Sequence, residues 1–369
     1  MLGAEWGKRI CLVTAAAWAA AAAPAEQPSS DKSLLENHVG TRPAGVSPTA
    51  FGAGTEKPTA TMPIAMPTLG GKQFWADEVF FHKWRIQRNV FDGHYRLLDE
   101  RDLRHAWGTY DQCAEVLDEI KRHRKLPRMS GKAVVVLHGL GRSRAAMEPL
   151  CHCLRQGGYQ VFNVGYPSTR DDIAEHARSL RHVINSLDGI DEINFVGHSM
   201  GNIVIRHYLG DLTREEPWKQ PANVAAADRR AVARFHRFVM LAPPNQGALL
   251  ATMFADTAVV KQIIGEAGQQ LGPDWPELEK RLATPAFEFG VVAGGKGNHK
   301  GYNPLLPGDN DGVISVDAAK LTGARDLVVV PVLHSFVMDD QRVQQYVLNF
   351  LQHGYFISPQ ERHPVEQQK

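Results

Sequence analysis

The chain has 369 residues, 43% of them hydrophobic and 22% charged, with 41 lysines and arginines against 40 aspartates and glutamates. That length allows one large domain or two ordinary ones, with enough apolar material for a sizeable core. The balanced charge, net +1 and without a basic stripe, argues against a nucleic-acid partner.

Residues 1–25 have the order of an export signal. Lys8 and Arg9 precede an uncharged stretch from Ile10 to Ala23, followed by small residues around Ala23-Pro24-Ala25. Cleavage is expected after Ala25, because a cut after Ala23 would leave Pro24 immediately beyond it. The protein is therefore expected to be periplasmic or extracellular, with an uncleaved N-terminal anchor as the alternative. The apolar run is short for a membrane span, which needs about 20 strongly apolar residues. Removing the signal leaves Cys113, Cys151 and Cys153, an odd set that cannot form a complete disulfide framework within one chain. All three read as buried small residues. Cys151-His152-Cys153 has no second ligand cluster to complete a metal site, so no metal is expected.

Residues 26–70 are rich in Pro, Ala, Thr, Ser and Gly and read as a disordered linker. A small module is expected over 71–130. In it, Trp84–Phe91 and His94–Leu98 flank Asp92-Gly93, a two-residue hairpin signal. A helix from Tyr110 to Arg124 then places Cys113, Val116, Leu117 and Ile120 on one face.

From 131 to 355, short apolar runs alternate with amphipathic stretches. The runs are Ala133–Leu137, Gln160–Val164, Ile193–Val196, Phe235–Leu241, Phe287–Val292 and Leu327–Val332. The expected helices are Arg144–Gln156, Asp171–Leu187, Met200–Leu209 and Asp339–Leu351. Strands this apolar, separated by helices, predict an α/β domain with a mostly parallel sheet of about six strands, covered on both faces. The stretch at about 243–285 shows no strand pattern and is expected to insert as a helical cap. Residues 356–369 form a C-terminal tail.

The chemistry centres on Gly197-His198-Ser199-Met200-Gly201, set directly between an apolar strand and an amphipathic helix. A serine on so tight a turn needs small neighbours, which Gly197 and Gly201 supply. The turn lifts the Ser199 hydroxyl above the sheet beside the amide-rich start of a helix. After the first apolar run comes His138-Gly139-Leu140-Gly141. Backbone N–H groups of Leu140 and Met200 are the candidate donors to an oxyanion, with His138 and Gly139 shaping the loop. His334 follows the last apolar run and precedes the last helix, the place for a general base; His299 and His353 are weaker candidates. The acid should follow the preceding strand. There Asp311, ahead of Gly312 and apolar residues, is preferred to Asp309, while Asp317 is expected to cap the next helix.

These motifs, in the order nucleophile, acid, histidine, resemble those of the bacterial lipase and esterase branch of the α/β hydrolases over Lys132 to about Gln352. Pro243-Pro-Asn-Gln-Gly247 also resembles a less studied group of these hydrolases. The resemblance implies the α/β-hydrolase fold, a Ser199–His334–Asp311 triad, no cofactor and a mobile cap. Leu249, Leu250, Met253 and Phe254 in the cap suggest an apolar acyl chain. The expected activity is cleavage of small-molecule or lipid carboxylic esters through an acyl-enzyme, with possible membrane-surface contact. An acyltransferase, thioesterase or amidase would use the same residues, and a non-catalytic binding member is the contrasting class. The sequence leaves the oligomeric state open.

Overall fold

The computed structural model describes residues 66–67, 72–214, 222–247 and 266–366, all within the compact unit Ile64–Lys369. The expected signal, most of the linker and the four apolar cap residues lie outside the described residues.

The first sheet is antiparallel and holds β1 (Met66–Pro67), β2 (Trp75–Phe81), β3 (Trp84–Asn89), β4 (Tyr95–Leu98) and β5 (Leu103–Gly108), in the order β1-β5-β4-β3-β2. The hairpin expected at Asp92-Gly93 is present, but its strands stop at Asn89 and resume at Tyr95. Side chains compete with the ladder there. Asn89 Oδ1 accepts from the Phe91 amide at 2.9 Å, and Asp92 Oδ1 accepts from the His94 amide at 3.2 Å. Helix α1 (Tyr110–His123) starts in a capping box, with Thr109 Oγ1 accepting from the Gln112 amide and the Gln112 side chain accepting from the Thr109 amide. It buries Cys113, Leu117 and Ile120 against Trp84, Ile86 and Leu97.

The second sheet holds β6 (Lys132–Leu137), β7 (Gln160–Val164), β8 (Glu192–His198), β9 (Phe235–Leu241), β10 (Glu288–Gly294) and β11 (Asp326–Val330). All its pairings are parallel, in the order β11-β10-β9-β8-β6-β7. Between or after the strands come α2 (Glu148–Gln156), α3 (Ile173–Ser186), α4 (Met200–Arg214), α5 (Ala222–Val232), α6 (Trp275–Glu279), α7 (Val316–Ala319) and α8 (Gln341–His353). On one face Val134, Val136, Val196, Val239 and Val292 pack against Leu150 and Leu154 of α2 and Val343, Val347 and Phe350 of α8. On the other, the Phe195 ring meets Phe235, Phe238 and Phe287, and Tyr208 of α4 meets Phe235. Alternate residues of the central strands thus feed opposite cores, which explains why these strands read as largely apolar runs.

The six expected strands are those of this sheet, with shifted ends. The last stops at Val330, short of Val332, because Pro331 cannot donate to a ladder. The stretch expected as one helix from Arg144 splits into a 3-10 turn, Arg144–Met147, and α2, where Pro149 occupies the first turn. Of the expected cap, residues 266–270 and α6 are helical, and 248–265 lie outside the described residues. Cys113 and Cys151 are buried thiols, whereas Cys153 is only half-buried, correcting the expectation for that residue.

The chain changes direction across the sheet between β6 and β8: it runs outward from β6 to β7, then returns to the other side of β6. The carboxyl ends of the strands at such a reversal diverge and leave a crevice, where ligands of open α/β sheets bind. Helix α8 covers the core behind this crevice and is capped by Asp340, whose carboxylate accepts from the Arg342 and Val343 amides. Asp340→Ala should lower stability by about 1 kcal/mol, read as a lower urea midpoint at unchanged m-value.

Candidate active site

Ser199 lies between the end of β8 and the first residue of α4, at φ +52°. A side-chain-bearing residue in that region is strained, and the surrounding turn must hold it there. A Cβ on Gly197 would lie 2.8 Å from the Asn202 amide nitrogen, and one on Gly201 would lie 2.6 Å from the Leu137 carbonyl oxygen. Both glycines therefore permit backbone contacts that no other residue would. The Ser199 amide donates to the Leu241 carbonyl at 2.9 Å. Asn202 Nδ2 donates to the Ser199 and Leu241 carbonyls at 3.0 and 3.1 Å.

His334 arrives from the other side of the crevice. Its Nε2 is 3.0 Å from Ser199 Oγ, and its Nδ1 is 2.7 Å from Asp311 Oδ2. A carboxylate only accepts, so Nδ1 carries the proton and Nε2 presents a lone pair to the serine hydroxyl. Asp311 is buried. Its Oδ1 accepts from the Val313 and Ile314 amides at 2.9 and 2.7 Å, and its carbonyl accepts from the His334 amide at 2.9 Å. Asp311 and His334 are thus joined through both side chain and main chain.

Asp309 points elsewhere, accepting from the Lys296 and Gly297 amides, each at 2.7 Å. Ser315, not Asp317, caps α7: its extended backbone lets its hydroxyl accept from the Ala318 amide, while Asp317 pairs with Lys320. His299 and His353 are exposed.

The loop after β6 carries His138, Gly139, Leu140 and Gly141. The buried His138 ring stacks on Tyr166 with centroids 4.2 Å apart, and its Nδ1–H donates to the Gly139 carbonyl at 2.9 Å. The Gly141 amide donates to Ser168 Oγ at 3.0 Å, and the Arg142 amide closes a turn onto the Gly139 carbonyl at 3.2 Å. A Cβ on Gly139 would sit 3.1 Å from Ser199 Cβ, so the loop lies directly against the serine turn. Met200 opens α4, so its N–H has no partner a turn earlier.

One residue of the serine turn escaped sequence reasoning. His198, the variable residue before the serine, is buried, and its Nε2–H donates to the His334 carbonyl at 3.0 Å. Burial, then the nearby His334, pushes its pKa well below the ordinary histidine value. It is a neutral strut holding the main chain of His334. Only its place beside the serine hinted at this, since the partner is distant in sequence. Among the described residues, no cluster of three or more His, Cys, Asp or Glu could hold a metal ion, and no helix is long and apolar enough to cross a membrane.

A family profile described as "Alpha/beta hydrolase of unknown function (DUF915)" matches residues 158–219, from β7 through the serine turn into α4. No curated protein sequence matches the chain significantly. Among solved structures, the lipase BlEst2 of Bacillus licheniformis is similar at 18% identity and TM-score 0.43, over 58% of this chain and 89% of that one. The esterase Pf2001 of Pyrococcus furiosus is similar at 13% identity and TM-score 0.40, over 81% of this chain and 98% of that one.

The buried histidines make stability depend on pH. Burial pushes His138 down to about 4 and His176 down to about 3, and His198 is lowered as well. A histidine with a depressed folded pKa is neutral in the native state and takes up its proton on unfolding. Its contribution is therefore complete above about pH 6.5 and declines as pH falls towards the folded value. Urea titrations should show stability falling between pH 6.5 and 4, by up to about 1.4 kcal/mol per pH unit per histidine. His176→Gln should flatten that slope by one proton. Separately, Gly201→Ala should fold poorly or lose the Ser199 geometry, because the obstructing atoms are the Leu137 and His138 carbonyls, which cannot move aside. Its thermal midpoint should fall well below that of a surface Gly→Ala control.

Proposed function

We propose that this chain, with its α/β-hydrolase fold, is a serine hydrolase acting on carboxylic esters. The observation that carries the reading is the unbroken bonding from buried Asp311 through His334 to Ser199, ending on a serine raised at φ +52° beside the sheet's reversal point. A structural serine needs neither the strained backbone nor a two-step relay to a buried carboxylate.

In the proposed reaction Ser199 Oγ attacks the ester carbonyl while His334 Nε2 takes its proton. Asp311 keeps Nδ1 protonated and favours the imidazolium that forms. The oxyanion is received by the Leu140 and Met200 amides, the second at the positive end of α4. The tetrahedral species collapses, the alcohol leaves with the proton from His334, and an acyl-Ser199 ester remains. Water, deprotonated by the same nitrogen, then releases the acid. Leu333 and Phe336, 43% and 55% exposed on either side of His334 in sequence, support an apolar group on the substrate. With a lipid ester, contact with a membrane surface belongs to the same proposal. The basic, apolar and small-residue order of the N-terminus supports export.

A fluorophosphonate probe should label the wild type at one site and leave Ser199→Ala unlabelled. p-Nitrophenyl esters of graded length should then give the acyl preference. Asp311→Asn should retain the fold and lower kcat by about 10³–10⁴, since it removes the acceptor that fixes the tautomer. A folded wild type that resists labelling would overturn the proposal.

A further inference from the structure

The antiparallel sheet touches the candidate site at a few definite atoms. Gln73, in the turn before β2, donates from Nε2 to the Arg142 carbonyl at 2.8 Å. Its Oε1 accepts from the Thr169 amide and hydroxyl at 3.4 and 3.3 Å. Asp102, at φ +60° between β4 and β5, accepts from Arg144 Nη2 through both carboxylate oxygens, at 2.6 and 2.8 Å, and also pairs with Arg85. Arg85 continues to the buried Asp77, whose Oδ2 accepts from the Gly165 amide at 2.6 Å.

Apart from the Arg85 pairs within the sheet, each of these contacts lands on one of two loops: residues 138–144 after β6 and residues 165–170 after β7. The second loop in turn grips the first, through Tyr166 to His138 and Ser168 to Gly141. The sheet's attachment to the domain does not depend on these bonds. β2 also packs along α3, with the Phe80 amide donating to Ser186 Oγ at 3.0 Å and the Phe80 ring 5.5 Å from that of Phe162. Gln73 and Asp102 therefore do something other than hold two bodies together.

We infer that the antiparallel sheet is a positioning frame for the oxyanion loop, and that Gln73 is the residue through which it fixes the direction of the Leu140 N–H. The inference rests on the serine-hydrolase reading. The Arg142 amide closes the turn on the Gly139 carbonyl, so Leu140 occupies the turn's second position and Gln73 binds the carbonyl at its fourth. The Leu140 amide shares its peptide with the Gly139 carbonyl, which the Arg142 amide holds; by anchoring the Arg142 carbonyl, Gln73 keeps in place the residue whose N–H orients that peptide. Gln73 is a positioning residue and touches no reacting atom.

The test uses the whole protein, with kcat expressed per site labelled by the fluorophosphonate, so that misfolded molecules do not count. Gln73→Ala should lower kcat per labelled site about tenfold, less than the 10²–10³ that follows outright loss of an oxyanion donor. KM should stay within about twofold, and a trifluoromethyl ketone, which binds as the tetrahedral adduct, should weaken in step with kcat. Gln73→Glu keeps an acceptor for Thr169 and loses the donor to Arg142, so it should behave like Gln73→Ala. Lys83→Met, which breaks only the exposed pair with Glu100 on the same sheet, should match wild type. Unchanged kcat per labelled site in Gln73→Ala, or full recovery in Gln73→Glu, would overturn the inference. If the wild type does not label, the hydrolase reading fails on its own. Amide hydrogen exchange over residues 139–142 then decides for Gln73: faster exchange in Gln73→Ala supports the frame, and unchanged exchange overturns it.

Discussion

The left-handed backbone of Ser199 is the constraint on which the rest of the site depends. A strand that passes into a helix without a loop must reverse its peptide direction within one residue. Here that residue bears a side chain. The strain, of order 1–3 kcal/mol, persists because the neighbours leave no alternative. Gly197 and Gly201 let the backbone of Asn202 and the Leu137 and His138 carbonyls close in around the turn, and Asn202 bonds the turn to the end of β9. Relaxing Ser199 would mean opening contacts made by three strands of the sheet at once.

The two partners of the serine are fixed by a different device. β10 and β11 are neighbours, and the segment between them and the turn after β11 meet above their ends. The Asp311 carboxylate is satisfied on one oxygen by its own turn and on the other by His334, so burying it leaves no unpaired lone-pair cluster. Asn310 behaves likewise, accepting from the Asn303 and Gly312 amides and donating to the Asn303 and Gly308 carbonyls. The acid loop is held by polar bonds from within, and needs little apolar core of its own.

The sheet was legible in the sequence because its central strands are buried at most positions on both faces, which leaves mostly apolar runs. The serine turn was legible because its glycines are demanded by backbone contacts a few residues away. What stayed hidden depends on partners distant in sequence. His198 meets the carbonyl of His334, and Gln73 meets that of Arg142; no spacing encodes either. β2 and β5 were hidden for a related reason. Asp77 and Arg85, buried as an ion pair, and the half-exposed Asp102 that also binds Arg85 put charges in and beside these strands, and a carboxylate in a strand reads as surface until its partner is known. The hairpin was misjudged in length because Asn89 and Asp92 offered the backbone side-chain partners in place of the ladder.

The bond from His198 to the His334 carbonyl would also limit how the proposed catalytic cycle runs. With its main chain held by His198 and by Asp311, and its Nδ1 engaged, the imidazole is held in one orientation. In the proposed reaction one nitrogen lobe, pointing in one direction, would collect the proton from the serine and deliver it to whatever departs. Both the outgoing alcohol and the incoming water would then have to pass through the same small volume in front of Nε2, one after the other. The order of product exit and water entry would therefore be a matter of traffic through a single gate. An alcohol too bulky to clear that gate would slow deacylation without ever touching the acyl pocket.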